Sequence, residues 1–216
     1  LASVATDALL GLQVEENILD SSNYYSVKQS TFPFDRFIND SIILGPKMRS
    51  TGETFGIDID KDSAMVKSYL GNYPNIFTVG KIMMSLTDTS KFIILPYLKQ
   101  LHKLGFAFYA TKGTSQYIKK QGYPCTQIAK INEEGISLLS ILQDEQIKMV
   151  FNTPMEKTPS KSDGEIIRNT AIQYGIPCFT RIENIKAVTE SLIGTLGSEL
   201  TPISLQDIYK SNKELS

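Results

Sequence analysis

The chain has 216 residues, with 22 lysines and arginines against 23 aspartates and glutamates, so its net charge is close to zero. A chain with this balance has no overall field to attract nucleic acid or an acidic membrane surface. No apolar run reaches the roughly 18 residues of a membrane span, and no signal peptide is visible. We therefore expect a cytoplasmic protein without nucleic-acid or membrane partners, in which any anion site is local.

The first 72 residues have an irregular pattern. They open with a helical pattern, and the stretches SSNYYSVKQSTFPF and IILGPKMRSTGETFGID then mix apolar and polar residues as extended strands do. Residues 61–70 predict a short helix, and the turn-rich GNYPN at 71–75 is the candidate domain boundary. We therefore predict an α+β segment over residues 1–72.

From Phe77 onward the pattern is regular. Short apolar runs alternate with helical patterns of about 10–15 residues, which is typical of a parallel, doubly wound sheet. The runs are residues 81–86, 106–110, 125–129, 147–151 and 176–180. We predict an α/β domain over residues 76–196 with a five-stranded parallel sheet, followed by a C-terminal tail over 197–216.

The two cysteines, Cys125 and Cys178, both lie in apolar runs. A disulfide framework needs more cysteines in a shorter chain, so two buried, reduced thiols are expected. This use of cysteine agrees with a cytosolic compartment.

Polar residues collect directly after the predicted strands, where ligands bind in an open parallel sheet. Helix N-termini at the same edge add free backbone N–H groups and a partial positive charge. The combination predicts a site for a phosphate or carboxylate, most simply a phosphate monoester. The residues, in chain order, are Ser85, Thr87, Asp88, Lys91, Thr111, Lys112, Gly113, Thr114, Lys130, Asn152, Thr153, Thr180 and Arg181.

The stretch ATKGT at 110–114 concentrates these features at the junction of a strand and a helix. Gly113 is expected to let the chain turn and to let a ligand approach the backbone. The same hydroxyls also suit ordinary helix caps, and lysines are often only solvated, so a capping role remains open. Asp163 is either an N-cap or a contact to a ligand hydroxyl or base.

Catalytic residues are not evident in the sequence. The single histidine, His102, lies inside a helical pattern away from the strand ends, so no histidine general base is expected at the edge. The motifs of serine hydrolases, zinc proteases, dithiol oxidoreductases and P-loop proteins are missing. We therefore predict a binding site without catalytic or metal-binding residues.

Two sets of motifs resemble one family. YYSVKQSTFPFDRF and ILGPKMRSTGETFGI resemble the end of the second ATP-grasp half of the carbamoyl-phosphate synthase large subunit. SLTDTSK, LGFAFYATKGTSQYI, VFNTP and SDGEIIRNTAIQYGIPCFT are similar to its C-terminal regulatory domain, which has the methylglyoxal-synthase-like fold. The resemblance implies an α/β fold with a doubly wound parallel sheet, preceded by the α+β tail of an ATP-grasp-type domain.

The resemblance also implies a parent enzyme that makes carbamoyl phosphate from bicarbonate, ATP and glutamine-derived ammonia, for pyrimidines and arginine. That enzyme uses ATP and Mg, and it works with a glutamine amidotransferase small subunit. Its metal-binding acidic residues lie upstream of the segment that this chain resembles. The chain itself is therefore expected to hold no cofactor and to make no carbamoyl phosphate.

In bacterial-type members of the family, a nucleotide effector, UMP or IMP, is held at its phosphate by residues that match this chain. The matching positions are Lys91, Thr111, Thr114, Lys130, Asn152 and Thr153, and Asp163 matches a residue near the ribose or base. Ornithine binds between the two domains in the family, and Thr180 matches one of its contacts. Gln29 stands where the well-described members have a carboxylate, so we expect weak or absent ornithine binding.

The leading interpretation is a regulatory module that binds a nucleotide. The alternative is a methylglyoxal synthase-type lyase acting on dihydroxyacetone phosphate, but KINEEG and PSKSDG lack that family's Gly-Gly-Asp stretch and histidine. A nucleotide-cyclising domain of late purine synthesis would not explain residues 1–70. A structural fragment with a vestigial site is the last alternative. Acetylglutamate is the effector of urea-cycle members, which place a tryptophan where Lys130 stands, and this chain has no tryptophan.

Overall fold

The computed structural model describes residues 2–14, 23–32, 50–129, 138–142, 146–154, 163–204 and 206–208. Within these ranges, seven helices and seven strands follow one another along the chain. They are α1 (Ala2–Leu9), β1 (Tyr25–Thr31), β2 (Gly52–Asp58), α2 (Lys61–Leu70), β3 (Lys81–Ser85), α3 (Asp88–Lys103), β4 (Ala107–Thr111), α4 (Lys112–Lys120), β5 (Thr126–Ile128), α5 (Leu138–Leu142), β6 (Ile147–Asn152), α6 (Asp163–Gln173), β7 (Cys178–Phe179) and α7 (Ile182–Thr195).

The central sheet has five strands in the spatial order β5-β4-β3-β6-β7. Each neighbouring pair is parallel. The chain moves outward from β3 to β5 and then returns to the other side of β3, so the strand order reverses between β3 and β6. This arrangement confirms the predicted doubly wound, five-stranded parallel sheet, and ligands of such sheets bind where the order reverses.

Two hydrophobic cores cover the two faces of the sheet. Successive side chains of a strand point to opposite faces, and in β3 Ile82 and Met84 join one core while Met83 joins the other. The first core takes apolar residues of α3 and α7, and the second takes those of α5 and α6. The central strands β3 and β6 are mostly apolar because both of their faces are buried.

The strands β1 and β2 form a separate antiparallel pair, in which Gln29 lies opposite Thr54. Helix α2 packs directly on this pair at Gly56. A Cβ on Gly56 would lie 2.6 Å from the Ser68 backbone nitrogen and still closer to the Ala64 carbonyl oxygen. Only glycine therefore permits this approach of helix and strand.

Helix α2 also packs against α7, which joins the N-terminal segment to the sheet domain. The Ser191 hydroxyl donates to the Asp62 carboxylate at 3.2 Å. A Cβ on Gly194 would lie 2.6 Å from Asp62 Oδ2, so the glycine makes room for that carboxylate. The Tyr69 ring makes an edge contact with Phe179 of β7, with 5.7 Å between ring centroids. The turn at 71–75 therefore separates two segments that remain packed together.

The helix bounds agree with the sequence patterns. The helix predicted over 61–70 is α2, and the pattern over 162–175 contains α6. Gly105 and Gly175, which follow α3 and α6, have positive φ angles of 93° and 65°, as residues that end helices commonly do. The motif GPKMRSTGE lies mostly outside the described residues.

The remaining expectations concern the thiols, membranes and the tail. Cys125 and Cys178 are unpaired thiols, and Cys125 is buried whereas Cys178 is partly exposed. No helix among the described ranges is long and apolar enough to cross a membrane. In the tail, the Thr201 carbonyl oxygen accepts a hydrogen bond from Lys67 Nζ at 2.6 Å, so the tail returns to the N-terminal segment.

Candidate functional site

Lys91 lies at the beginning of α3, directly beyond the end of β3. Thr87 caps this helix, because its hydroxyl oxygen accepts a hydrogen bond from the Ser90 backbone N–H at 3.4 Å. Lys91 Nζ bonds Asp88 Oδ1 at 2.7 Å, and this bond lowers the pKa of Asp88. The Lys91 side chain is 12% exposed and that of Asp88 is 90% exposed. The ammonium of a largely buried lysine side chain is thus paired with the carboxylate of an exposed aspartate.

The ammonium of Lys91 lies near the beginning of α4, the helix that follows the neighbouring strand β4. It lies 3.7 Å from the position that a Cβ on Gly113 would take. Thr111 precedes the helix without a side-chain cap, and its hydroxyl donates to Ser85 Oγ at 3.4 Å. The edge therefore combines a lysine ammonium with the uncapped N-terminus of a helix, where free N–H groups favour an anion.

The expected role of Gly113 in turning the chain is wrong. Helix α4 begins at Lys112, immediately after β4, and Gly113 lies within it without a positive φ angle. The reason is that β4 joins α4 directly, with Thr111 as the only junction residue. A Cβ at this position would be in ordinary van der Waals contact with Lys91 Nζ.

Thr114 and Thr153 support the turn that follows β3. The Leu86 backbone N–H donates to Thr114 Oγ1 at 3.1 Å, and the Thr87 backbone N–H donates to Thr153 Oγ1 at 2.9 Å. Thr114 is only 2% exposed. The hydroxyl hydrogens have long contacts of 3.5 Å, from Thr114 to the Leu86 carbonyl and from Thr153 to Thr87 Oγ1. Both threonine hydroxyl oxygens therefore accept a backbone hydrogen bond that supports the turn, whereas the hydrogen bonds that these hydroxyls donate are long and weak.

Asn152, the last residue of β6, belongs to a buried polar cluster. The sequence pointed to Asn152 but not to its contact with Arg168. Asn152 is 1% exposed and Arg168, from α6, is 5% exposed. Arg168 Nη1 donates to Asn152 Oδ1 at 3.0 Å, and Asn152 Nδ2 donates to the Gly164 carbonyl oxygen at 3.3 Å. Burial lowers the pKa of the Arg168 guanidinium, and the nearby Cys178 and Glu165 act in the opposite direction. The one sequence signal was an arginine beside the core residue Ile167.

The other predicted residues are distributed around this edge. Asp163 is the first residue of α6 and is exposed. Lys130 lies outside the described residues, so its place in the site stays a prediction. Thr180 directly follows β7 and is half-buried. Gln29, in β1, lies near the side chain of Tyr69, whose pKa burial raises to about 12.

His102 lies in the last turn of α3, at the opposite end of that helix from Lys91. Its ring is near those of Phe108 and Tyr123, with centroid distances of 6.3 Å and 6.1 Å. The single histidine of the chain is thus placed in an aromatic cluster, apart from the polar edge.

Known proteins are similar in sequence to this chain. Residues 93–180 match the family model of the MGS-like domain. The chain is 34% identical, over 96% of its length, to a protein of Methanocaldococcus jannaschii described as the carbamoyl phosphate synthase large chain, C-terminal section. It is 32% identical, over 97% of its length, to the carbamoyl phosphate synthase large chain of Rubrobacter xylanophilus. These similarities confirm the resemblance that the motifs indicated.

The chain covers only part of these relatives. It spans 36% of the Methanocaldococcus jannaschii protein and 20% of the Rubrobacter xylanophilus protein. A methylglyoxal synthase of Elizabethkingia anophelis NUHP1 aligns in structure with 61% of this chain and 90% of its own, at 17% identity and a TM-score of 0.40.

Proposed function

We propose that this chain, which carries an MGS-like domain at 93–180, is the regulatory portion of a carbamoyl phosphate synthase large chain and binds a nucleotide 5′-monophosphate, UMP or IMP. The observation that carries the proposal is the position of Lys91. Its side chain is mostly buried, and its ammonium lies beside the first turn of α4, at the carboxyl edge of the sheet. A phosphate at this place would meet a full positive charge and a helix N-terminus together.

The phosphate would take the place that the Asp88 carboxylate occupies on Lys91. Asp88 is exposed and belongs to the same helical turn, so it can rotate into water without disturbing the fold. The hydroxyls of Thr111, Thr114 and Thr153 would then turn their hydrogens towards phosphate oxygens. Asn152 would add an amide N–H, Lys130 a second charge, and Asp163 a contact to the ribose or base.

The rest of the parent enzyme supplies the chemistry in this proposal. ATP and Mg²⁺ would bind in the remainder of the large chain, and a glutamine amidotransferase small subunit would supply ammonia. This chain would contribute no catalytic residue. Nucleotide binding would change the contact between α2 and the sheet domain, and Gln29, Tyr69 and Phe179 are the residues at that contact whose positions would change.

The test is a calorimetric titration of the 216-residue chain with UMP and with IMP. Replacing Lys91 by alanine removes one charge-assisted hydrogen bond, so we expect binding to weaken by at least about tenfold. Lys103→Ala is the matched control, because Lys103 is an exposed lysine in the last turn of the same helix. Inorganic phosphate should compete with the nucleotide. Binding that is equal in the two variants, or tight binding of acetylglutamate instead, would contradict the assignment.

A second assay distinguishes the proposal from the lyase alternative. Without a histidine at the polar edge, we expect no methylglyoxal from dihydroxyacetone phosphate above a buffer control. Turnover that disappears in the Asp163→Asn variant would show instead that the edge is a catalytic centre.

A further inference from the structure

The direction in which the Asn152 amide points is decided by its neighbours. The oxygen and the nitrogen of an amide have nearly the same size, but one accepts hydrogen bonds and the other donates them. Each of its two partners here can either only donate or only accept a hydrogen bond. The guanidinium of Arg168 can only donate, and the carbonyl oxygen of Gly164 can only accept. Only one orientation of the amide satisfies both partners.

This orientation has a consequence for the polar edge. Oδ1 is used by Arg168, and one of the two Nδ2–H bonds is used by Gly164. The second Nδ2–H remains available, at the end of the strand that pairs with β3 through Ser85 and Asn152. A flipped amide would offer an oxygen lone pair there instead, and that lone pair would repel an anion.

We propose that Arg168 and Gly164 are positioning residues for the anion site, which hold Asn152 so that its N–H, and not its carbonyl oxygen, faces the phosphate. The inference rests on the proposed function of the same edge. Gly164 takes part through its size. A Cβ at this position would lie 3.3 Å from Arg168 Nη1 and 3.6 Å from both polar atoms of the Asn152 side chain.

Packing alone does not account for an arginine at this place. A buried guanidinium gives up its hydration, and its hydrogen-bond partner among the described residues is a neutral amide, while the nearby Cys178 and Glu165 favour its charge. Residues Ile167 and Ala171 of the same helix belong to the apolar core, so an unbranched apolar side chain would suit the surroundings. The arginine is explained by the need for a partner that only donates.

The experiment is a double-mutant cycle on the 216-residue chain, with the dissociation constant of UMP as its readout. Arg168→Met and Asn152→Ala should each weaken binding by at least about tenfold. Because Arg168 acts through Asn152, the double variant should bind within about twofold of Asn152→Ala alone. Arg168→Lys, which keeps a group that only donates, should remain within about threefold of the unaltered chain.

Thermal unfolding of each variant shows whether the fold is retained. If Arg168→Met does not fold, Gly164→Ala takes its place in the cycle, since its methyl group would lie 3.3 Å from Arg168 Nη1 and shift the guanidinium slightly, while alanine favours the helix. We expect weaker UMP binding in that variant without a lower unfolding temperature, and no further loss in the Asn152→Ala background.

Several results would overturn the inference. If the losses of UMP affinity in the two single variants multiply in the double variant, Arg168 contacts the nucleotide directly or acts only on the fold. Unchanged binding in Arg168→Met would remove its positioning role and leave the proposed function intact. A chain that binds neither UMP nor IMP would remove both proposals together.

Discussion

Replacing Thr114 by valine tests the support of the turn after β3. Valine has nearly the shape of threonine, so the substitution removes the hydroxyl without creating a cavity. The Leu86 backbone N–H, which donates to this hydroxyl at 3.1 Å, then loses its acceptor. Both residues are buried, so water replaces the lost bond poorly. We expect the free energy of unfolding to fall by about 1–3 kcal/mol, the cost of an unsatisfied buried donor.

Thr189 provides the matched control within the same chain. It is fully buried in α7, and its hydroxyl has no hydrogen-bond partner among the described residues. Thr189→Val therefore removes a hydroxyl whose burial has no compensation, and it should leave stability unchanged or raise it. The two variants undergo the same chemical change in opposite hydrogen-bonding environments.

The measurement is thermal unfolding followed by circular dichroism, supported by urea titration. In a chain of this size, 1 kcal/mol corresponds to about 2–4 °C in unfolding temperature. A loss of about 2 kcal/mol in Thr114→Val should thus appear as about 4–8 °C, with no decrease for Thr189→Val. Equal unfolding temperatures in the two variants would refute the reasoning, because they would show that Leu86 does not depend on Thr114.

Three further predictions concern other parts of the chain. Gly194→Ala should destabilise the chain by about 1–3 kcal/mol in urea titration, because its Cβ would lie 2.6 Å from Asp62 Oδ2, and adding Asp62→Ala should recover part of the loss. Burial raises the pKa of Asp58, but hydrogen bonds, chiefly from Lys67, outweigh it and lower that pKa. The stability that this adds is present above about pH 4 and is lost as pH falls through the lowered pKa, so Asp58→Asn should show a flatter stability profile between about pH 5 and pH 2. The parent enzyme should respond weakly to ornithine with Gln29 in place and more strongly in Gln29→Glu; strong activation of the unaltered enzyme would place the amine elsewhere.

The sheet could be predicted from the sequence because its central strands β3 and β6 are buried on both faces. Each strand lies in a short, mostly apolar run, and the helices between them end at glycines such as Gly105 and Gly175. Positions that follow a strand in a parallel sheet share one edge, so the neighbourhood of Lys91 with Gly113 also followed from the pattern.

The hydrogen bonds of the site could not be predicted in the same way. A sequence pattern indicates that Thr114 follows a strand, but not that its hydroxyl oxygen accepts from Leu86 of a neighbouring loop. Arg168 occupies a helix whose pattern is otherwise ordinary, and it donates to Asn152 of β6. Such contacts join residues of different elements, and the periodicity of one segment carries no information about them.

The packing of α2 on α7 determines where the chain can be divided for study. The turn at 71–75 is the natural place to cut according to the sequence, but an excised 76–196 polypeptide would lose Tyr69, the aromatic neighbour of Phe179. It would also expose the side of α7 that faces Asp62. An excision beginning at residue 60 would keep α2, with its Asp60 cap, as a cover for the sheet, and would expose the side of α2 that packs on Gly56. The smallest piece worth isolating for ligand work therefore begins one helix earlier than the sequence boundary.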